Sequence, residues 1–308
     1  MLKLHSKVDS SVNWIEDDVT GYFESRFVQR QDDYIICYLS SQTGCNQGCK
    51  FCHLTTTGQI RSNDAGVPDF SRQALKVVEY YRDHVRKGDN GYIALNTKTK
   101  KLHYNFMARG EPLANKTLAH PDLYDTLTRY AKYVDLEPVF NISTIMPKKF
   151  KGELADYFPE GVKPTIYYSI YSVNAHFRVR WIPAAQDLLN ALTNIDRYCH
   201  SGGKVVLHSS FIKEENDSVP DVNDMIELIK SFSFANDYTP VAFNIVRYNP
   251  YSSVQGDESP YLDRIAQQMT EAGINARVLN RVGPDVYASC GAFITSEQFS
   301  EKGNLENI

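Results

Sequence analysis

The chain has 308 residues, enough to bury one large core with or without a small appendage. Hydrophobic residues make up 42% and charged residues 23%, an ordinary balance for a globular protein in water, and no apolar run reaches the ~20 residues that span a bilayer. The net charge of −4 argues against a globally basic nucleic-acid binder, so any RNA contact must draw on locally gathered cations. The opening Met1-Leu-Lys-Leu-His is too polar to begin a secretory signal, so a cytoplasmic protein with no membrane partner is expected.

In chain order, residues 1–33 are polar and interrupted, and read as a short N-terminal β extension with a hairpin strand near Tyr22–Gln29. From Tyr34 the pattern becomes regular. Runs with the length and residue types of buried strands occur at Tyr34–Leu39, Leu102–Met107, Val139–Thr144, Thr165–Tyr171, Lys204–Ile212 and Val241–Arg247. Amphipathic helical stretches alternate with them at Ser71–Arg86, Asp122–Val134, Ala185–Tyr198 and Val222–Phe232, and Pro260–Glu271 follows the sixth strand. Ser71 and Asp122 are placed as N-caps and Gly88 as a C-terminal stop. Six strand–helix alternations predict an α/β fold with a parallel sheet and right-handed crossovers, a partial (βα)6 barrel over residues 34–282. Residues 283–308 form a C-terminal segment carrying Cys290. Chemistry is expected at the C-terminal ends of the strands.

Three of the six cysteines crowd into Gly44-Cys45-Asn46-Gln47-Gly48-Cys49-Lys50-Phe51-Cys52, directly after the first barrel strand, whereas Cys37, Cys199 and Cys290 are scattered. In a reducing compartment this clustering suggests metal ligation rather than a disulfide framework. Thiolates are the usual protein ligands of iron–sulfur clusters, normally four per cluster, so three would leave one iron open to hold and reduce a substrate. Cys45, Cys49 and Cys52 are therefore the expected ligands of a [4Fe–4S] cluster. A zinc site completed by His53 is the competing reading, disfavoured because His53 adjoins Cys52.

Residues Ser40–Cys52 resemble the cluster loop of the radical S-adenosylmethionine (SAM) RNA methyltransferases. That family methylates C2 of an adenosine in 23S ribosomal RNA and transfer RNA, and its chloramphenicol–florfenicol resistance sibling methylates C8. Further motifs match in order between about Tyr22 and Phe293. Gly110-Glu111-Pro112-Leu113 with Asn115 resembles the loop that holds the SAM amino group. Ser143 stands at the place of a SAM-binding serine, Ser169-Ile170-Tyr171 at the place of Ser-Leu-His, and Asn249 in the place of a SAM-binding asparagine. Asp285-Val286-Tyr287-Ala288-Ser289-Cys290-Gly291 looks like the segment that carries the methyl-accepting cysteine.

The resemblance implies a [4Fe–4S] cluster and SAM as cofactors, an RNA substrate (a tRNA or rRNA loop), and an electron donor such as flavodoxin or ferredoxin. It also implies Cys290 as methyl carrier, Cys37 as the thiol that resolves a protein–RNA crosslink, and Glu24 as the base. Cys37 lies eight residues before Cys45 where the family spacing is seven, so a bulge after Cys37 is expected. Three departures stand out. Tyr171 replaces a histidine, Ala108-Arg109 replaces a Gly-Met pair, and the 44 residues before Cys45 leave little of the family's N-terminal accessory domain. Lys98, Lys100 and Lys101, Lys148, Lys149 and Lys151, and Arg178 with Arg180 form short basic runs, either solvated faces or local phosphate-binding charge. Two other readings compete: a radical SAM enzyme modifying a peptide or small metabolite, and an Fe–S or zinc protein serving as a binding module.

Overall fold

The computed structural model describes residues 1–85, 98–235 and 241–305. The predicted helix stop at Gly88 lies outside them. Ten strands form one sheet whose spatial order is the chain order. Strands β1 (Leu2–His5), β2 (Val12–Asp18) and β3 (Gly21–Gln31) run as an antiparallel meander, and β3 pairs antiparallel with β4 (Tyr34–Tyr38). From β4 onward every pairing is parallel, through β5 (Lys101–Phe106), β6 (Glu137–Thr144), β7 (Thr165–Ser169), β8 (Lys204–Ser209), β9 (Ala242–Ile245) and β10 (Asn275–Val278). The six expected barrel strands are present. They are joined by a further parallel strand, Asn275–Val278, too short and polar to have been read from its pattern.

The helices are α1 (His53–Thr56), α2 (Val67–Tyr80), α3 (Pro121–Tyr133), α4 (Leu154–Tyr157), α5 (Ala175–Trp181), α6 (Leu188–His200), α7 (Val219–Lys230), α8 (Leu262–Glu271) and α9 (Ser296–Leu305). Their starts correct two expected caps. Helix α2 begins four residues before Ser71, where Gly66 donates its backbone N–H to Asp69 Oδ2 at 2.9 Å. Ser71, inside the helix, instead bonds the Tyr130 hydroxyl at 2.5 Å. Asp122 lies in the first turn of α3, which His120 caps through Nδ1. In both helices a proline pre-set for the first turn, Pro68 or Pro121, begins the helix earlier than the acid or serine signal.

Alternation along the parallel strands sorts side chains onto two faces. Ile35, Cys37, Leu102, Tyr104, Phe106, Ile166, Tyr168 and Leu207 join the helices in one large apolar core. The intervening residues include Asn105, Asn141, Ser143, Ser169, His208 and Asn244, and they bond to one another or to neighbours across the barrel interior. A smaller cluster forms where the chain ends meet, with Leu2, Leu4, Ile15 and Tyr22 packed on Val286, Ala288 and Ile294.

Candidate active site

The chain leaves β4 through a loop bent so tightly that Gly44 accepts no side chain. A Cβ there would stand 2.1 Å from the Arg61 carbonyl oxygen and 2.6 Å from that of Gln59. Cys45 donates its backbone N–H to Gln59 O at 3.1 Å, Lys50 donates to Trp181 O at 2.9 Å, and Cys52 opens α1. Gly110 makes a second close approach, at a φ of +96°, where a Cβ would come within 2.7 Å of Gln42. That approach brings Glu111 to the mouth of the barrel beside the loop.

Cys45, Cys49 and Cys52 line one cavity together with Phe51, Gly110, Glu111, Ser143, Thr144, Ser169, Tyr171, His208, Cys290 and Phe293. The three thiols feel one another electrostatically, and burial is the main influence on each. It pushes Cys45 up to about 12 and Cys52 up to about 11, and raises Cys49 well above its ordinary value. Uncoordinated, they would stay protonated at neutral pH; a metal centre is what makes three such groups thiolates. His53 does not complete a zinc site. Its Nδ1 accepts the Phe293 N–H at 3.4 Å, which leaves Nε2 to donate to Asn249 O at 3.0 Å. Among the described residues, no three His, Cys, Asp or Glu side chains converge on a single ion. Three soft sulfur donors from one loop around an open cavity fit an iron–sulfur cluster that shares an iron with a second ligand.

Glu111 is buried, and its carboxylate accepts from Thr144 Oγ1 at 2.6 Å, Leu113 N at 3.1 Å and Ile145 N at 3.2 Å. Burial pushes its carboxyl up to about 7, against those three hydrogen bonds. A buried carboxyl so poised gains most from a cationic partner such as an ammonium. His208, on the interior face of β8, was not singled out from the sequence. Its Nε2 stands 2.5 Å from Ser169 Oγ and 3.4 Å from Ser143 Oγ, and burial drives its pKa down to about 4, so the ring is neutral. Only the strand's period-2 alternation, counted from the large apolar residues, would have placed it in the cavity. Tyr171, which lines the same cavity, has a φ of +55° and stacks on Phe51 at 4.4 Å between ring centres.

The other expected site residues fall elsewhere. Ile170 packs into the helix-side core, and its backbone N–H and C=O are already bonded to His208 and Arg178. Asn249 reaches the site's edge with its side chain engaged: Nδ2 donates to Cys290 O at 2.9 Å and Oδ1 accepts from Arg281 at 2.7 Å. Cys37 is fully buried in the helix-side core and does not line the cavity. The bulge expected after it is not there. The β4 pairing with β5 is regular from Tyr34 to Tyr38, and the irregularity with β3 falls between Val28 and Gln31. Glu24 is also fully buried, between Arg26 at 2.9 Å and Arg109 at 2.7 Å. Burial alone would raise its carboxyl, but the two guanidiniums outweigh it and hold it below the ordinary range, the wrong direction for a general base.

Cys290 is solvent-exposed by surface area, yet enough protein surrounds the thiol to raise its pKa, opposed by Arg26 and Arg30. It lies on the cavity wall with the three loop cysteines.

A parallel αβ barrel with a three-thiol loop at the C-terminal end of its first parallel strand is a site that can hold an iron–sulfur cluster with one iron open to a second ligand. No family model matches the chain. It is 26% identical over 301 residues to a probable dual-specificity RNA methyltransferase RlmN of Lachnospira eligens, covering 93% of this chain and 75% of that protein. It is 24% identical over 274 residues to the dual-specificity RNA methyltransferase RlmN of Sulfurovum sp., covering 88% of this chain and 69% of that one. Among solved structures, a radical SAM methyltransferase from Sphaerobacter thermophilus superposes with a TM-score of 0.73 at 19% identity, over 95% of this chain and 80% of the other. SuiB of Streptococcus suis, bound to S-adenosylmethionine, superposes at 0.51 and 14% identity, over 83% and 53%. The chain is thus similar to the dual-specificity RNA methyltransferases along nearly its whole length, and it shares the fold of a radical SAM methyltransferase. Among the described residues no helix is long and apolar enough to cross a membrane.

Proposed function

We propose that this protein methylates an adenine carbon in a loop of tRNA or rRNA, C2 rather than C8, with Cys290 as the methyl carrier. The observation that carries the reading is that Cys290 shares one cavity with Cys45, Cys49, Cys52 and Glu111. Relatives named for dual-specificity RNA methylation supply the substrate class.

Cys45, Cys49 and Cys52 would hold the cluster, which, with a donor such as flavodoxin or ferredoxin, would supply the reducing electron for cleavage of SAM. Glu111 receives the SAM ammonium with its carboxylate. Ser143 and Ser169, oriented by the neutral His208 ring, offer hydroxyls to the ribose and carboxylate. Phe51 and Tyr171 give the cavity an apolar side that excludes water from the reacting groups. The thiol of Cys290 holds the methyl group at the cavity wall, where a substrate base entering from solvent meets it. Cys37 and Glu24 have no part in this reading, because both are sealed from the cavity.

The test is mass spectrometry of nucleosides from RNA incubated anaerobically with the reconstituted protein, SAM and a one-electron reductant. Formation of 2-methyladenosine that disappears in Cys290→Ala is the expected result. SAM cleavage without any methylated nucleoside would transfer the reading to a peptide or small metabolite, an alternative favoured by the absence of Cys37 from the cavity.

A further inference from the structure

The Arg109 side chain stands 0% exposed between the loop after β5 and the chain's C-terminal segment. With Glu24 and Arg26 it forms a buried ionic triad whose remaining hydrogen-bonding capacity is directed almost wholly at backbone. Arg26 Nη1 donates to Ala288 O and Nη2 to Ala292 O, both at 3.1 Å. Arg109 Nη2 donates to Ile294 O at 2.7 Å, and Glu24 Oε1 accepts the Ile294 N–H at 3.3 Å. Asn13, bonded to Glu24 at 3.2 Å, donates to Val286 O at 2.9 Å. Arg109 also reaches back to Gln59 Oε1 at 2.7 Å, in the chain that carries the cluster loop. From the other side, Asn249 takes Cys290 O and His53 N donates to Gly291 O at 3.0 Å. Phe293 closes the arrangement, with both guanidiniums over its ring at 5.1 and 5.4 Å.

A buried charge triad gives little net stability, because desolvation offsets most of its attraction. What it supplies is geometry, since each guanidinium has several donors in a fixed plane. Every anchor falls within four residues of Cys290, on both sides of it. We infer that the Arg26–Glu24–Arg109 triad is a positioning device: it clamps residues 286–294 against β3 and the cluster loop and thereby holds the Cys290 thiol on the cavity wall. The inference rests on the reading of Cys290 as carrier, but its test does not.

Reconstituted holoprotein is treated anaerobically with iodoacetamide, and alkylation at Cys290 and at the half-buried Cys199 is followed by peptide mass spectrometry. Amide hydrogen exchange of residues 286–294 is measured in parallel. Arg109→Gln removes the charge and the bond to Ile294 O, and should raise alkylation at Cys290 about tenfold, the factor that accompanies loss of roughly one charge-assisted hydrogen bond. Exchange of 286–294 should rise similarly, while iron content and the Cys199 rate stay unchanged. Arg109→Lys keeps the pairing with Glu24 and should recover part of the protection. It also serves as the reading if Arg109→Gln does not fold, with a rise of about threefold expected. Unchanged alkylation and exchange at 286–294 would overturn the proposal. So would a rise matched at Cys199, which marks general loosening rather than release of one segment. If the clamp behaves as described but Cys290→Ala still methylates RNA, the carrier reading fails and the clamp stands.

Discussion

The two faces of the parallel strands solve different problems with the same backbone. Toward the helices, Ile35, Cys37, Leu102, Tyr104 and Phe106 interlock in a dry core where each group is satisfied by packing. Toward the barrel interior, one residue along, stand Asn105, Asn141, Ser143, Ser169 and His208, joined by hydrogen bonds. A one-residue step decides whether a side chain belongs to stability or to chemistry. Cys37 and Cys290, alike in the sequence as lone thiols, fall on opposite sides of that divide. The first is sealed under the helices, the second faces the cluster loop.

The largest effect should come from the loop. Replacing Cys45, Cys49 or Cys52 by Ala should abolish both the ~4 irons of the reconstituted protein and its release of 5′-deoxyadenosine; a variant that keeps full iron would remove that cysteine from the ligand set. Next, Cys290→Ala should retain iron but yield no methylated RNA and no protein–RNA adduct. Cys37→Ala should methylate normally, against the expectation from family resemblance that its loss would trap a crosslink. A nuclease-sensitive mass shift on purified Cys37→Ala protein would break the comparison of faces outright. Its cost should instead appear in urea unfolding, as about 1–2 kcal/mol from the small cavity left in the core.

Glu111→Gln should weaken SAM binding about tenfold, with iron content unchanged. A neutral amide replaces a charged acceptor for the ammonium, a difference of roughly 1–2 kcal/mol. Equal affinities by calorimetry would take Glu111 out of the SAM site. The smallest effect concerns pH. His208 is held near about 4 in the folded protein, below the ordinary 6.5. Between those values the unfolded chain binds more protons than the folded one, so stability rises with pH across that window and is complete above it. His208→Gln should flatten urea-unfolding free energy between about pH 4 and 6.5, the window set by those two values. An unchanged slope would show that the ring is already charged or solvated.

Much of this was legible in advance because it depends on local spacing. Three thiols within eight residues, the Gly-Glu-Pro turn and serines at strand ends can be read without knowing what lies opposite. The barrel strands show in their apolar runs, whereas Asn275–Val278 is hidden because its alternation lasts only four residues and buries none of them fully. For Cys37 and Glu24, residue spacing does not reveal where the side chains lie: both are buried and neither lines the cavity. The register of β3 on β4 and the two arginines around Glu24 appear only once the chain is folded, since Arg109 lies 85 residues from its partner. The same substitution that looked like a departure from family pattern, Arg in place of Met, turns out to bind the C-terminal segment.

That segment has a consequence for how the protein is made. Ser6 bonds Asp285 across 279 residues, and the cluster of Leu2, Leu4 and Ile15 waits for Val286 and Ile294. During synthesis, residues 286–294 leave the ribosome after every barrel strand, and contacts of such sequence separation form late. Until they do, the cysteine loop stands open on one side. The wall that carries Cys290 therefore closes on the cysteine loop only after the barrel strands have been made.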